Sequence, residues 1–244
     1  MSENQKRIKV IACATVVEEM LPILPDNVDY EVLEYGLHLV PDNLKKSLQK
    51  AIDAASPSYE TIVLGYGLCS LAVIGLKAEY SQLVVPRVDD CIALYLGSRE
   101  AYNRLSKKEP GTYYLTKGWI EVGDTIYEDY QRTMEKFGEA KAARIMGIML
   151  KHYTRLVYID TGQLNQEAYR AYAQKTAAHF NLRYEEVEGS TGLIRKMMSG
   201  PWDGEFVVTP PGQTIHYPDF STPSDSAAEP SPIADAGNET KGSA

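Results

Sequence analysis

Three cysteines, Cys13, Cys69 and Cys91, are the residues of this chain whose type and placement best suit chemistry. Their spacings of 56 and 22 residues exclude a zinc knuckle or a ferredoxin run, in which the ligands lie a few residues apart. They suit ligands delivered by separate loops. Thiolates bind soft metals, and three of them leave one coordination position open for a substrate, so the expected cofactor is an iron–sulfur cluster or zinc. A single thiolate could instead act as a nucleophile or methyl acceptor beside a positive charge. Cysteine also packs as a small apolar residue, so its surroundings decide.

Those surroundings contain further polar groups. Gly65 and Gly67 bracket Tyr66 just ahead of Cys69, in a turn where backbone can approach a ligand closely. The pattern is not a dinucleotide-binding fingerprint, and no acidic ribose ligand follows, so no nucleotide cofactor is indicated. Arg87 can clamp a carboxylate or phosphate, while Asp89 and Asp90 can serve as hard ligands or a base beside Cys91. His38 follows a strand-like run and could reach the same edge. Thr161, after Asp160, offers a hydroxyl, and Ser190 and Thr191 precede a helix N-terminus suited to anions.

Hydrophobic patterning supplies the elements that would place these groups. Ile8 to Ala14 is apolar and β-branched, like a strand buried on both faces. A helix from Val16 to Leu24, a strand from Tyr30 to Tyr35 and a helix from Pro41 to about Ala55 follow. Thr61 to Leu64 and Gln82 to Pro86 are the third and fourth strands, with a helix from Cys91 through Arg104. This alternation implies a parallel sheet with right-handed crossovers. Strands one, three and four would then lie side by side, with all three cysteines on the edge where α/β proteins bind ligands.

Beyond a Pro110-Gly111 turn, residues 109–152 read as a mainly helical connection with a short aromatic stretch at Tyr113 to Leu115. Strands at Leu156 to Asp160, Tyr184 to Val187 and Phe206 to Thr209 alternate with helices at Asn165 to Phe180 and Leu193 to Ser199. The fold class is therefore α/β: two Rossmann-like parallel-sheet halves, 1–108 and 153–218, joined by the helical segment. Residues 219–244 are rich in Ser, Pro, Ala, Asp and Glu and are expected to form a disordered tail.

The chain carries a formal net charge of −8, half of it in that last segment, which disfavours a nucleic-acid partner. No apolar stretch approaches the roughly 20 residues needed to span a bilayer, so no membrane partner is expected either. With no secretory apolar segment at the start and an odd cysteine count, a reducing cytoplasm is the expected location.

Several stretches together carry a family resemblance: VLGYGLC at Val63 to Cys69, PRVDDCIALYLGSREAY at Pro86 to Tyr102, PGTYYLTKGWIE at Pro110 to Glu121, YIDTG at Tyr158 to Gly162 and LIRKMMSGPWDGEFVVTPPG at Leu193 to Gly212. The chain resembles domain of unknown function family 1638, a bacterial and archaeal family, over about residues 8–215. The resemblance implies a soluble cytoplasmic protein, frequent in anaerobes and often associated with corrinoid-dependent methyl transfer, so corrinoid methyltransferase components are candidate partners. It supplies no reaction. Where the family pattern has His-Asp-Cys this chain has Asp89-Asp90-Cys91, and the glycines after the first two cysteines are Ala14 and Ser70. The reading with most support is a metal- or iron–sulfur-binding protein acting on a small anionic substrate; the alternative is an accessory protein for corrinoid methyl transfer.

Overall fold

The computed structural model describes residues 7–34, 36–37, 40–68, 71–162 and 164–221. The expectations for Cys69, Ser70, His38 and most of the acidic C-terminal segment fall outside these residues. The first strand, β1 (Ile8–Cys13), runs into α1 (Ala14–Met20) and a short 3-10 turn. Then come β2 (Val28–Leu33), α2 (Pro41–Ala55), β3 (Thr61–Gly65) and β4 (Gln82–Pro86). These four strands are parallel and lie in the order β2-β1-β3-β4.

Alternating side chains send the two faces of this sheet into different cores. Val10, Ala12, Val63 and Val84 pack in one cluster. Ile11, Ile62, Leu64, Leu83 and Val85 pack in the other, against Leu44, Leu48 and Ile52 of α2. Pro at the first position of α2 supplies a preset φ where no N–H is needed, and the apolar stripe then fixes which face turns inward.

The segment after β4 contains two helices, where the sequence suggests one. The first, α3 (Ile92–Leu96), stops at Gly97, which takes φ +83°, and Ser98 then caps α4 (Arg99–Lys108) by accepting from the Ala101 N–H at 3.1 Å. A left-handed glycine followed by a serine cap is a local stop-and-restart signal. The Gly97 position is also crowded, since a Cβ there would lie 2.6 Å from Ser190 Cβ.

Two strands cross the boundaries drawn from sequence. Tyr113 to Leu115 belongs to a strand, β5 (Thr112–Leu115), which precedes α5 (Lys117–Val122), α6 (Ile126–Phe137) and α7 (Glu139–Met149). The chain continues through β6 (Arg155–Asp160), α8 (Gln166–His179), β7 (Arg183–Glu188) and α9 (Gly192–Ser199). Strands β5, β6 and β7 form a second, parallel sheet. The last strand, β8 (Phe206–Thr209), returns to the first sheet and pairs antiparallel with β4, Phe206 opposite Pro86. Helices flank parallel sheets throughout, so the molecule is a mixed α/β fold.

Both sheets contribute to one core. Val157 and Ile159 of β6 join Val10, Val63, Val84 and Leu193 in a single cluster, while Leu156 and Tyr158 face Ala173 and Ala177 of α8. One face of the first sheet and one face of the second therefore share this cluster. Among the described residues, no helix is long and apolar enough to cross a membrane.

Candidate functional site

Cys13 is the last residue of β1 and the N-cap of α1, and Cys91 is the N-cap of α3. Both are half-buried and neither forms a disulfide. Cys13 Sγ lies 3.1 Å from Thr15 Oγ1, and the Tyr95 hydroxyl donates to the same Thr15 oxygen at 3.1 Å. Thr15 and Tyr95 are fully buried. Tyr95 sits one helical turn beyond Cys91, which directs its ring from α3 towards the end of β1.

Burial pushes the Tyr95 hydroxyl well above its ordinary pKa, and negative charge on Cys91 or Cys13 would push it further. Burial likewise pushes the Cys13 thiol up, against a smaller lowering by its hydrogen bond to Thr15. Cys13 therefore keeps its proton at neutral pH unless a metal or another partner displaces it.

The second sheet supplies the facing wall. Glu19 lies one turn after Thr15 on α1, is buried, and accepts from the Thr161 hydroxyl at 2.6 Å and the Gly118 N–H at 3.3 Å. Gly118 is needed there because a Cβ would come within 2.4 Å of the Thr15 carbonyl oxygen. Next to it, Trp119 meets Tyr95 edge to face, with centroids 5.3 Å apart. Trp119 and Ile92, the residue after Cys91, also border a cavity of about 400 Å³ with Tyr113, Tyr114 and Tyr153. Two carboxylates at this cavity, Asp124 and Asp129, are both paired with Arg132.

The other expected site residues occupy more varied positions. Gly65 closes on Ala12, where a Cβ would be 2.5 Å from its side chain, and Gly67 closes on the Val88 carbonyl. The close approach these glycines allow is therefore within the protein, between strands β3 and β1 at Gly65 and between neighbouring loops at Gly67, and Tyr66 between them is buried. Asp89 is held by Arg99 through two 3.2 Å bonds. Asp90, one residue before the N-cap, accepts from the Ile92 N–H at 2.9 Å and so holds the first turn of α3 and Cys91 beside it. Burial pushes its carboxyl pKa up, while its bonds to Ile92 and Tyr102 oppose that.

Arg87 turns towards β8, donating to the Phe206 carbonyl at 3.3 Å. Ser190 receives the Gly192 N–H on its hydroxyl at 3.1 Å and donates its own N–H to the Tyr95 carbonyl at 2.8 Å. Thr191 is the N-cap of α9 and makes no side-chain cap bond. The structure thus links Cys13 to Tyr95 through Thr15, and Thr161 to Glu19, with Cys91 one helical turn before Tyr95. It puts Ser190 behind Tyr95 and Arg87 on the β8 side.

Thr15, Glu19 and Tyr95 were not singled out from sequence. The available signals were Thr and Glu four apart on a short helix that buries both, and a Tyr four residues after Cys91. Among the described residues no three His, Cys, Asp or Glu side chains stand together as a ligand set, and Cys69 lies outside them. The thiols of Cys13 and Cys91 are donors of the type that zinc and iron–sulfur clusters accept.

No curated protein and no solved structure matches the chain. A family model described as protein of unknown function (DUF1638) matches residues 32–198, more than half of the sequence and including Cys69, Cys91, Tyr95 and Thr161. The chain belongs to that family.

Proposed function

We propose that this protein holds a metal ion or iron–sulfur cluster on Cys13, Cys91 and Cys69, and uses it to act on a small anionic substrate. The observation that carries this reading is Cys13 at the end of β1, linked through Thr15 to the buried Tyr95 hydroxyl, with Cys91 one helical turn before Tyr95 at the start of α3. Strands β3 and β4 are neighbours, and Cys69 follows β3 by four residues, so its loop starts from the same edge. A bound metal would replace the thiol protons and supply Lewis acidity or electron transfer at the open position. Tyr95 and Thr15 would orient the Cys13 sulfur, and Glu19 would fix the Thr161 loop opposite.

Purification under strict exclusion of oxygen, followed by metal analysis and an absorption spectrum, tests the reading. It predicts near-stoichiometric zinc or iron and, for iron, a sulfide-to-iron charge-transfer spectrum. Cys13→Ser, Cys69→Ser and Cys91→Ser should each lower the metal content. Metal-free protein, or content indifferent to all three substitutions, would refute it. Dependence on one cysteine alone would favour the single-thiolate alternative.

A further inference from the structure

We propose that the cavity beside β8 binds a small oxyanion, a carboxylate or phosphate group, with Arg87 as its cation. The idea takes its anionic ligand class from the function proposed above and adds a site that does not depend on the thiols. The cavity measures about 500 Å³ and runs between Val207, Val208 and Thr209 of β8, with Pro210 after them, and the returning Gln213, Thr214 and His216. An ordered water occupies only about 30 Å³, so the space fits a ligand.

Its floor is fixed before any ligand arrives. The Gly75 N–H donates to the Ile215 carbonyl at 2.8 Å, Ile215 donates back to Leu76 at 3.0 Å, and Gly212 donates to Ala78 at 2.7 Å. Gly212 takes φ +75°, which lets the chain reverse after Pro210 and Pro211. Among the described residues the outer edge of β8 is paired to no other strand, so its backbone groups also face this side.

Arg87 is the charge that lacks an answer. Its main-chain N–H bonds the Glu205 carbonyl and one terminal nitrogen bonds Phe206, but its Nε is buried without any hydrogen-bond partner. Among the described residues Arg87 forms no ion pair, whereas Arg99, Arg155, Arg170 and Lys196 all do. A guanidinium is permanently charged and carries five donors in a fork that matches a carboxylate or phosphate. Thr209, Gln213 and Thr214 add neutral polar groups around the cavity. Its acidic member, Asp219, is engaged by the His216 N–H at 2.7 Å, which closes the last 3-10 turn.

Calorimetric titration of the full chain with inorganic phosphate, and separately with malonate, both in matched ionic strength, is the test. At least one probe should bind saturably at one per chain, and which one does assigns the oxyanion. Arg87→Met should weaken binding about tenfold or more, the loss of a charge-assisted hydrogen bond. Since Arg87→Met also removes the bond to Phe206, Gln213→Ala at an exposed position serves as a second variant. It should weaken binding while leaving the melting temperature of the ligand-free protein unchanged. Cys91→Ser should leave binding intact even if the metal reading fails. Binding of neither probe, binding equal in wild type and both variants, or binding abolished by Cys91→Ser would each overturn the proposal.

Discussion

The two sheets are held together by different forces, and the candidate site lies where they meet. The inner strands β3 and β6 are buried along nearly their whole length, whereas the edge strand β7 of the second sheet is buried at no residue. The first sheet is stabilised by apolar side chains on both faces, which fix the strand ends that carry Cys13 and Cys91. The second relies on charge at its margins. Arg155 is only 1% exposed and reaches Thr112 at 2.7 Å and Glu185 at 2.5 Å, with Glu109 at 3.6 Å. Arg170 spans Asp160 and Glu186 in the same way. An apolar scaffold positions the reactive groups rigidly, and a charge-pinned layer provides the wall with Trp119 and Thr161.

The largest expected effect of breaking this division is at Arg155. Arg155→Ala removes the buried guanidinium that bonds Thr112 and Glu185, leaves Arg183 as the remaining partner of Glu109 and Glu185, and should be the most destabilising of these variants in denaturant unfolding. Arg155→Met, which keeps most of the volume but not the charge, should recover only a small part of that loss. Full recovery in Arg155→Met would mean that packing, not charge, holds the second sheet.

Leu48→Ala probes the apolar sheet. The side chain is fully buried between α2 and the strands, so truncation should cost ~2–5 kcal/mol with little dependence on salt. Gly118→Ala addresses the seam itself. Its new Cβ would press on the Thr15 carbonyl and force α1 and α5 apart, at a cost of ~1–3 kcal/mol. Tyr95 fluorescence or the nearby Trp119 emission should change with it; an unchanged spectrum would argue against a seam built on this contact.

The smallest effect is a pH dependence. Hydrogen bonds from Thr154 and Arg183 and the charge of Arg155 hold the Glu109 carboxyl below its ordinary value. Burial raises Glu185, but Arg183 and Arg155 outweigh it and the net shift is also downward. A carboxylate with a lowered folded pKa adds stability that is complete above the ordinary value of 4.5 and is lost as pH falls through the folded value. Melting temperature should therefore drop more steeply in acid for wild type than for Arg155→Met. Parallel curves for the two proteins would contradict the assignment.

Local signals made much of this fold legible. Pro41 and the stripe of Leu44, Leu48 and Ile52 mark α2, which spans Pro41–Ala55 as expected. The β-branched runs mark β1 and β4, and alternation with helices implied their parallel order. Strand β5 was hidden because four residues beginning Thr112-Tyr113-Tyr114 carry no clear period, and its partner β6 lies some forty residues on. Strand β8 was legible as a strand but not as an edge of the first sheet, since antiparallel pairing with β4 is a long-range choice. The site followed the same rule. Cysteines at strand ends were visible, but Tyr95 and Glu19 gain their roles from Thr15, Gly118 and Thr161, which only folding brings near.

Cobalt(II) titration of reduced, metal-free protein, read by absorption, tests the central claim most directly. Thiolate-to-cobalt charge-transfer bands should appear and saturate at one metal per chain. They should weaken in Cys13→Ser and again in the Cys13→Ser, Cys91→Ser double variant. Bands of full intensity in the double variant, or none in wild type, would contradict a shared thiolate site at the end of β1 and the start of α3.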